Sequence, residues 1–249
     1  MNETATLAAQ QVELTHAIDT VWVALCAALI FQMEGGFALL EAGFVRSKNA
    51  ISIIAKVMID IMFGGVAFYL IGFGIAYGKS NGYWAFDTGI MEGDLGLGLT
   101  ISNSLFWFIQ MGFAVAAISI VSGGVAERMK MWAYAIYVAL FCAVLYPLAA
   151  NWVWNPGGWL ATRGFNDFAG SAAIHAMGGF AALAGALVLG KRTKSNHAPT
   201  NIPFVLLGTG MLWFGWFGFN AGSALAANGT AALAFATTNA ASAMAMLTW

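Results

Sequence analysis

Seven apolar runs, each near the roughly 20 residues a helix needs to cross a bilayer, dominate the sequence, at about 20–44, 50–77, 102–126, 131–154, 170–190, 202–225 and 230–249. They are too long and too continuous for a transmembrane barrel, whose strands alternate over about 10 residues. An ordinary soluble domain carries about 25% charged residues; this chain has 8%, with 60% hydrophobic residues and a mean hydropathy of +0.77. The expected fold class is therefore all-α, a polytopic membrane helical bundle.

Positive charge sets the orientation, because Lys and Arg accumulate in cytoplasmic loops. Arg46 and Lys48 follow the first run, Arg128 and Lys130 the third, and Lys191, Arg192 and Lys194 the fifth. The alternate loops hold only Lys79 and Arg163, together with the acids Asp87, Glu92 and Asp94. This places the N-terminus outside, with residues 1–19 as an extracytoplasmic tail and 20–249 as the membrane domain. The tail lacks the basic segment of a secretory signal. Cys26 and Cys142 fall inside apolar runs, where free cysteine behaves as a small hydrophobe. His16 and His197 lie in polar segments. No CxxC or HExxH is present, so neither a metal site nor a cofactor is expected. The lipid bilayer is a partner; nucleic acid is not.

Glycine and alanine are abundant on the runs, and small residues let membrane helices approach closely. Pairs such as Gly35-Gly36, Gly64-Gly65 and Gly123-Gly124 read as packing positions. Ionisable residues inside the runs are costly and usually face a cavity or a partner; they are Glu34, Glu41, Lys56, Asp60, Asp167 and His175. Glu41 and Lys56 lie near run ends beside Arg46 and Lys48, where snorkelling and local ion pairing account for them. Glu34 and Asp60 lie deeper.

"DFAGSAAIHAMGG" (167–179) sets Asp167 at the start of the fifth run and His175 eight residues on. On a continuous helix that is about 12 Å and about 80° apart, too far for a catalytic pair. Asp167 reads as an N-cap whose carboxylate satisfies backbone N–H groups, complements the helix dipole and supplies negative potential. His175 is too short to snorkel. It is either a core histidine bonded to backbone or a pore-lining imidazole that accepts from and donates to a small polar solute.

"FQMEGGFALLEAGFVRSKN", "DFAGSAAIH" and "FGWFGFNAGSALAANGTAALAF", on three separate runs, resemble the ammonium transporter family (Amt/Mep/Rh), with similarity from about residue 18 to the end. The resemblance implies an eleven-helix protomer built from inverted five-helix repeats, a homotrimer, ammonium/ammonia as substrate and a cytoplasmic regulatory protein as a further partner. His175 matches the first of two pore histidines and Asp167 a structural aspartate. Phe113 matches the inner and Phe219 the outer of two phenylalanines that gate the pore. Trp154 resembles the tryptophan of the external recruitment site, with Trp152 and Trp159 as rivals, and Ser223 the hydroxyl that accepts a hydrogen bond from the ion.

These types suit ammonium, which is told from potassium by hydrogen bonding and cation–π contact. Stripping water from the ion favours loss of a proton, after which ammonia passes His175 while the proton travels separately. No catalytic residue is expected. The chain stops at Trp249, before the second pore histidine, so the expectation is a fragment of a longer transporter, ahead of a truncated homologue that needs a partner chain or one that has lost transport. An ammonium sensor with a fused output module is the main rival, followed by an Rh-type gas channel and an intramembrane enzyme.

Overall fold

The computed structural model describes residues 3–87, 91–192 and 198–248; Lys194, His197 and Trp249 lie outside them. Among the described residues seven helices are long and apolar enough to span a membrane: α1 Glu3–Phe44, α2 Ser47–Tyr77, α3 Asn103–Val125, α4 Met131–Trp154, α5 Ser171–Leu189, α6 Ile202–Gly222 and α7 Gly229–Thr248. No strand occurs among the described residues. Six of the seven follow the apolar runs within a few residues. The exception is α1, which is helical from Glu3 rather than from about residue 20. Residues 3–18 are exposed but rich in Ala, Leu, Gln and Glu, good helix formers that an apolarity criterion passes over.

α3 is the central helix, far more buried than α5 or α7. It packs on α1, α2 and α5, while α1 lies along α6. Glycine makes the α1–α6 approach possible. A Cβ on Gly43 would sit 2.6 Å from Val205 Cγ2, one on Gly218 2.6 Å from Leu29 Cβ, and one on Gly208 against the Leu40 backbone. Gly124 meets Ala182 in the same way, and Gly36 and Gly64 are tightly enclosed, so the packing reading of these glycines holds. In α4 a π-helical turn, Phe141–Leu145, precedes Pro147 and absorbs its missing N–H. Two such turns in α2, Asp60–Gly64 and Phe68–Gly72, bring Gly72 onto the Cys142 carbonyl of α4. Helix starts are capped by Ser102, Asn201 and Asn228, each accepting from backbone N–H groups just downstream.

Candidate functional site

Two buried asparagines lock the end of α4 to the end of α2. Asn151 donates to the carbonyls of Ile75 and Ala76 and accepts from Ser80, and Asn155 donates to Ala76 and Gly78. Between them Trp154 turns its Nε1 to the Asp167 carbonyl at 2.7 Å. The side chain of Asp167 faces the other way. Oδ1 accepts from the N–H groups of Gly170 and Ser171, both at 2.8 Å, and Oδ2 from Ala172 and Ala173, both at 2.9 Å. The capping expectation is thus realised from outside the helix: α5 begins at Ser171, after Gly170 at φ 91°. The separation reckoned along a continuous helix from Asp167 to His175 therefore does not apply.

A pocket of about 250 Å³ opens here, lined among others by Phe113, Trp154, Ser223, Gln110, Leu97 and Leu99. Of the three tryptophans, Trp154 lines this pocket, whereas Trp152 donates to the Tyr83 carbonyl and packs on Trp159. Ser223 donates its proton to the Phe219 carbonyl at 2.8 Å, which leaves its lone pairs as acceptors. Gln110, 5% exposed and with Oε1 lacking a partner, was missed by sequence reasoning. The signal was there, a polar residue in "FIQMGF" inside an apolar run.

Beneath the pocket the rings form a column. Phe113 lies 6.1 Å from Trp154 and 4.7 Å from Phe219, centroid to centroid. Phe219 lies 5.6 Å from His175, whose ring also stacks on Trp216 at 5.8 Å. Phe113 and Phe219 are 2% and 0% exposed, so the column is closed. The expected order of the two is reversed: Phe113 is on the pocket side and Phe219 on the histidine side. Ser223, one turn beyond Phe219 at the C-terminal cap of α6, lines the pocket with Phe113, and that turn sets Phe219 deeper. His175 is half-buried, with its ring stacked between Phe219 and Trp216.

The other buried charges depart from expectation. Glu41 and Lys56 do not snorkel: they are 8% and 3% exposed, Glu41 accepts from Ser122 at 2.8 Å, and Lys56 Nζ has no acceptor. Arg46 pairs instead with Glu127 at 3.0 Å, in the loop between α3 and α4. Burial opposes ionisation of Glu127, but hydrogen bonds from Asn49 and from the side chain and backbone of Arg46 outweigh it and hold the carboxyl below the usual range.

A helical membrane protein with a pocket of about 250 Å³ set against a buried column of aromatic rings and a histidine is the class that fold and site define. The chain belongs to the Ammonium Transporter Family, whose description matches residues 21–249. It is 40% identical over 230 residues to the ammonium transporter Amt2 of Archaeoglobus fulgidus, covering 85% of this chain and 48% of that protein. It is 38% identical over 237 residues to the ammonium transporter of Bacillus subtilis, covering 93% and 58%. Among solved structures, a protein described as a sensor Amt protein matches with TM-score 0.86 at 36% identity, covering 93% of this chain and 60% of that one. Candida albicans Mep2 matches with TM-score 0.86 at 29% identity, covering 94% and 54%. The chain spans about half the length of the curated relatives it matches.

Proposed function

We propose that this chain supplies the recruiting pocket, the gate and the first pore histidine of an ammonium transporter. The carrying observation is the unbroken column Trp154–Phe113–Phe219–His175, which joins a pocket holding an open hydroxyl acceptor to an imidazole free to bond a solute. Trp154 and Phe113 offer ring faces and Ser223 an oxygen to the ion. Asp167 holds the start of α5 and anchors Trp154. The apolar gate strips water and favours passage of neutral ammonia past His175. The charge pattern of the loops supports an N-terminus outside, and the family resemblance supports a homotrimer and a cytoplasmic regulatory partner.

The test is ammonium-evoked current from proteoliposomes of the full-length protein on a solid-supported membrane, with Phe113→Ala and His175→Ala alongside. A saturable current whose rate or ion selectivity changes in His175→Ala supports transport. A second reading, ammonium sensing, is favoured by the match to the sensor Amt protein. Thermal stabilisation by ammonium without current would select it.

A further inference from the structure

Away from the pocket, α1, α2 and α3 bury two carboxyl groups around one serine. Ser119 Oγ lies 2.7 Å from Glu34 Oε2 and 3.1 Å from Asp60 Oδ2. Glu34, Asp60 and Ser119 are 3%, 0% and 0% exposed. A serine hydroxyl has one proton and ionised carboxylates have none, so the serine fills only one of these contacts. The other requires a proton brought by a carboxyl group.

The surroundings point the same way. Glu34, Asp60 and Glu41 are set against a single ammonium, that of Lys56, which lies 4.8 Å above the Tyr134 ring and has no hydrogen-bond partner. Tyr134 is fully buried, and its hydroxyl has no hydrogen-bond partner. One oxygen of each carboxyl, Glu34 Oε1 and Asp60 Oδ1, is also without a partner. Cys142 of α4 and Ser122 of α3 complete the polar and titratable groups facing the cluster. Isolated charges are costly at this depth. The neighbouring ammonium repels a metal cation, whereas a proton bound covalently to oxygen needs no hydration.

We propose that Glu34, Ser119 and Asp60 form a buried proton-binding site that holds one proton between the two carboxyl groups. When Asp60 is the acid, its proton lies toward Ser119 Oγ and the serine proton toward Glu34. Transfer of both leaves Asp60 ionised, Glu34 protonated and the serine unchanged. The site is distinct from the ring column: Ser119 is about 9 Å along α3 from Phe113 and about 120° around it. Glu41, which lines a second pocket of about 310 Å³ with Gly123, Ala126 and Arg192, is bonded to Ser122, one turn from Ser119. None of this depends on the transport reading.

Infrared difference spectroscopy of the full-length protein in nanodiscs, in H₂O and D₂O, tests the site. At neutral pH one carboxylic-acid carbonyl band is expected, shifted down in D₂O and lost in Glu34→Gln and in Asp60→Asn. Ser119→Ala, which removes one oxygen, moves the band up because the acid loses its acceptor; this variant decides the matter if the others fail to fold. Absence of the band in the wild type, its persistence unmoved in the variants that fold, or its replacement by ionised carboxylates on adding sodium, potassium or ammonium would overturn the proposal, the last in favour of a cation site.

Discussion

Replacing Asp167 by asparagine keeps the side chain's shape and removes one of its two acceptor oxygens. Each oxygen serves one fully buried N–H (Gly170 or Ala173) and one partly buried (Ser171 or Ala172). Losing one oxygen therefore strands a buried donor, at about 1–3 kcal/mol, and a second that water reaches, at about 0.5–1.5 kcal/mol. The negative charge at the start of α5 adds about 0.3–1 kcal/mol. The sum predicts a destabilisation of about 2–5 kcal/mol, and more for Asp167→Ala, which abandons both oxygens. Equilibrium unfolding in mixed micelles with rising dodecyl sulfate, followed by circular dichroism, measures it. The bond from Trp154 goes to the backbone carbonyl of Asp167, so tryptophan emission of the folded variant should stay near that of the wild type. A loss below about 1 kcal/mol would refute the reasoning, because it would mean the carboxylate does not carry these four bonds.

Ser223→Ala removes the acceptor at the pocket and should weaken ammonium-evoked half-saturation by about fivefold, a hydrogen bond of about 1 kcal/mol, whereas Ser223→Thr should retain it; currents on supported membranes distinguish them. Gly208→Val drives a side chain into the Leu40 backbone of α1 and should cost more than the usual 1–3 kcal/mol of overpacking, read as a lowered thermal midpoint and poor folded yield. Glu127 has a depressed folded-state pKa, so its contribution is complete above the ordinary glutamate value of about 4.3 and is lost as the pH falls through the depressed value. Glu127→Gln should cost about 0.5–1 kcal/mol at neutral pH, the level of a partly exposed pair, and flatten the acid limb of the stability–pH curve.

Hydropathy located all seven helices because a bilayer imposes both length and apolarity. It missed the first turns of α1, where the physical driver is helix propensity. Asp19, assigned to a tail, is buried and accepts from Thr100 and from the Ala227 N–H; both partners are distant in sequence, so no local pattern signals them. The site residues were legible as motifs, but their depth was not. Phe113 and Phe219 exchanged places because register between two helices depends on where each starts and how they cross. Glu41 and Lys56 were misread for the same reason: nearness to Arg46 in sequence does not say which faces of α1 and α2 turn inward.

The column also explains why glycine packing far from the pocket bears on its chemistry. Trp216 and Phe219 of α6 and Ser223, its C-terminal cap, follow one another at i, i+3 and i+7 and so lie along one face. The histidine contact, the buried Phe219 ring and the pocket hydroxyl are thus three levels of one helix and its cap. That element is held by the close approach of Gly208, Gly215 and Gly218 to α1. A side chain at any of these glycines displaces all three levels together relative to Phe113 and Trp154, which stand on α3 and α4. Gate opening and ion binding should therefore fail jointly in such variants, whereas Phe219→Ala should affect passage and leave the Trp154 side of the pocket intact. Tryptophan quenching by ammonium, compared with current in the same proteoliposomes, separates the two patterns.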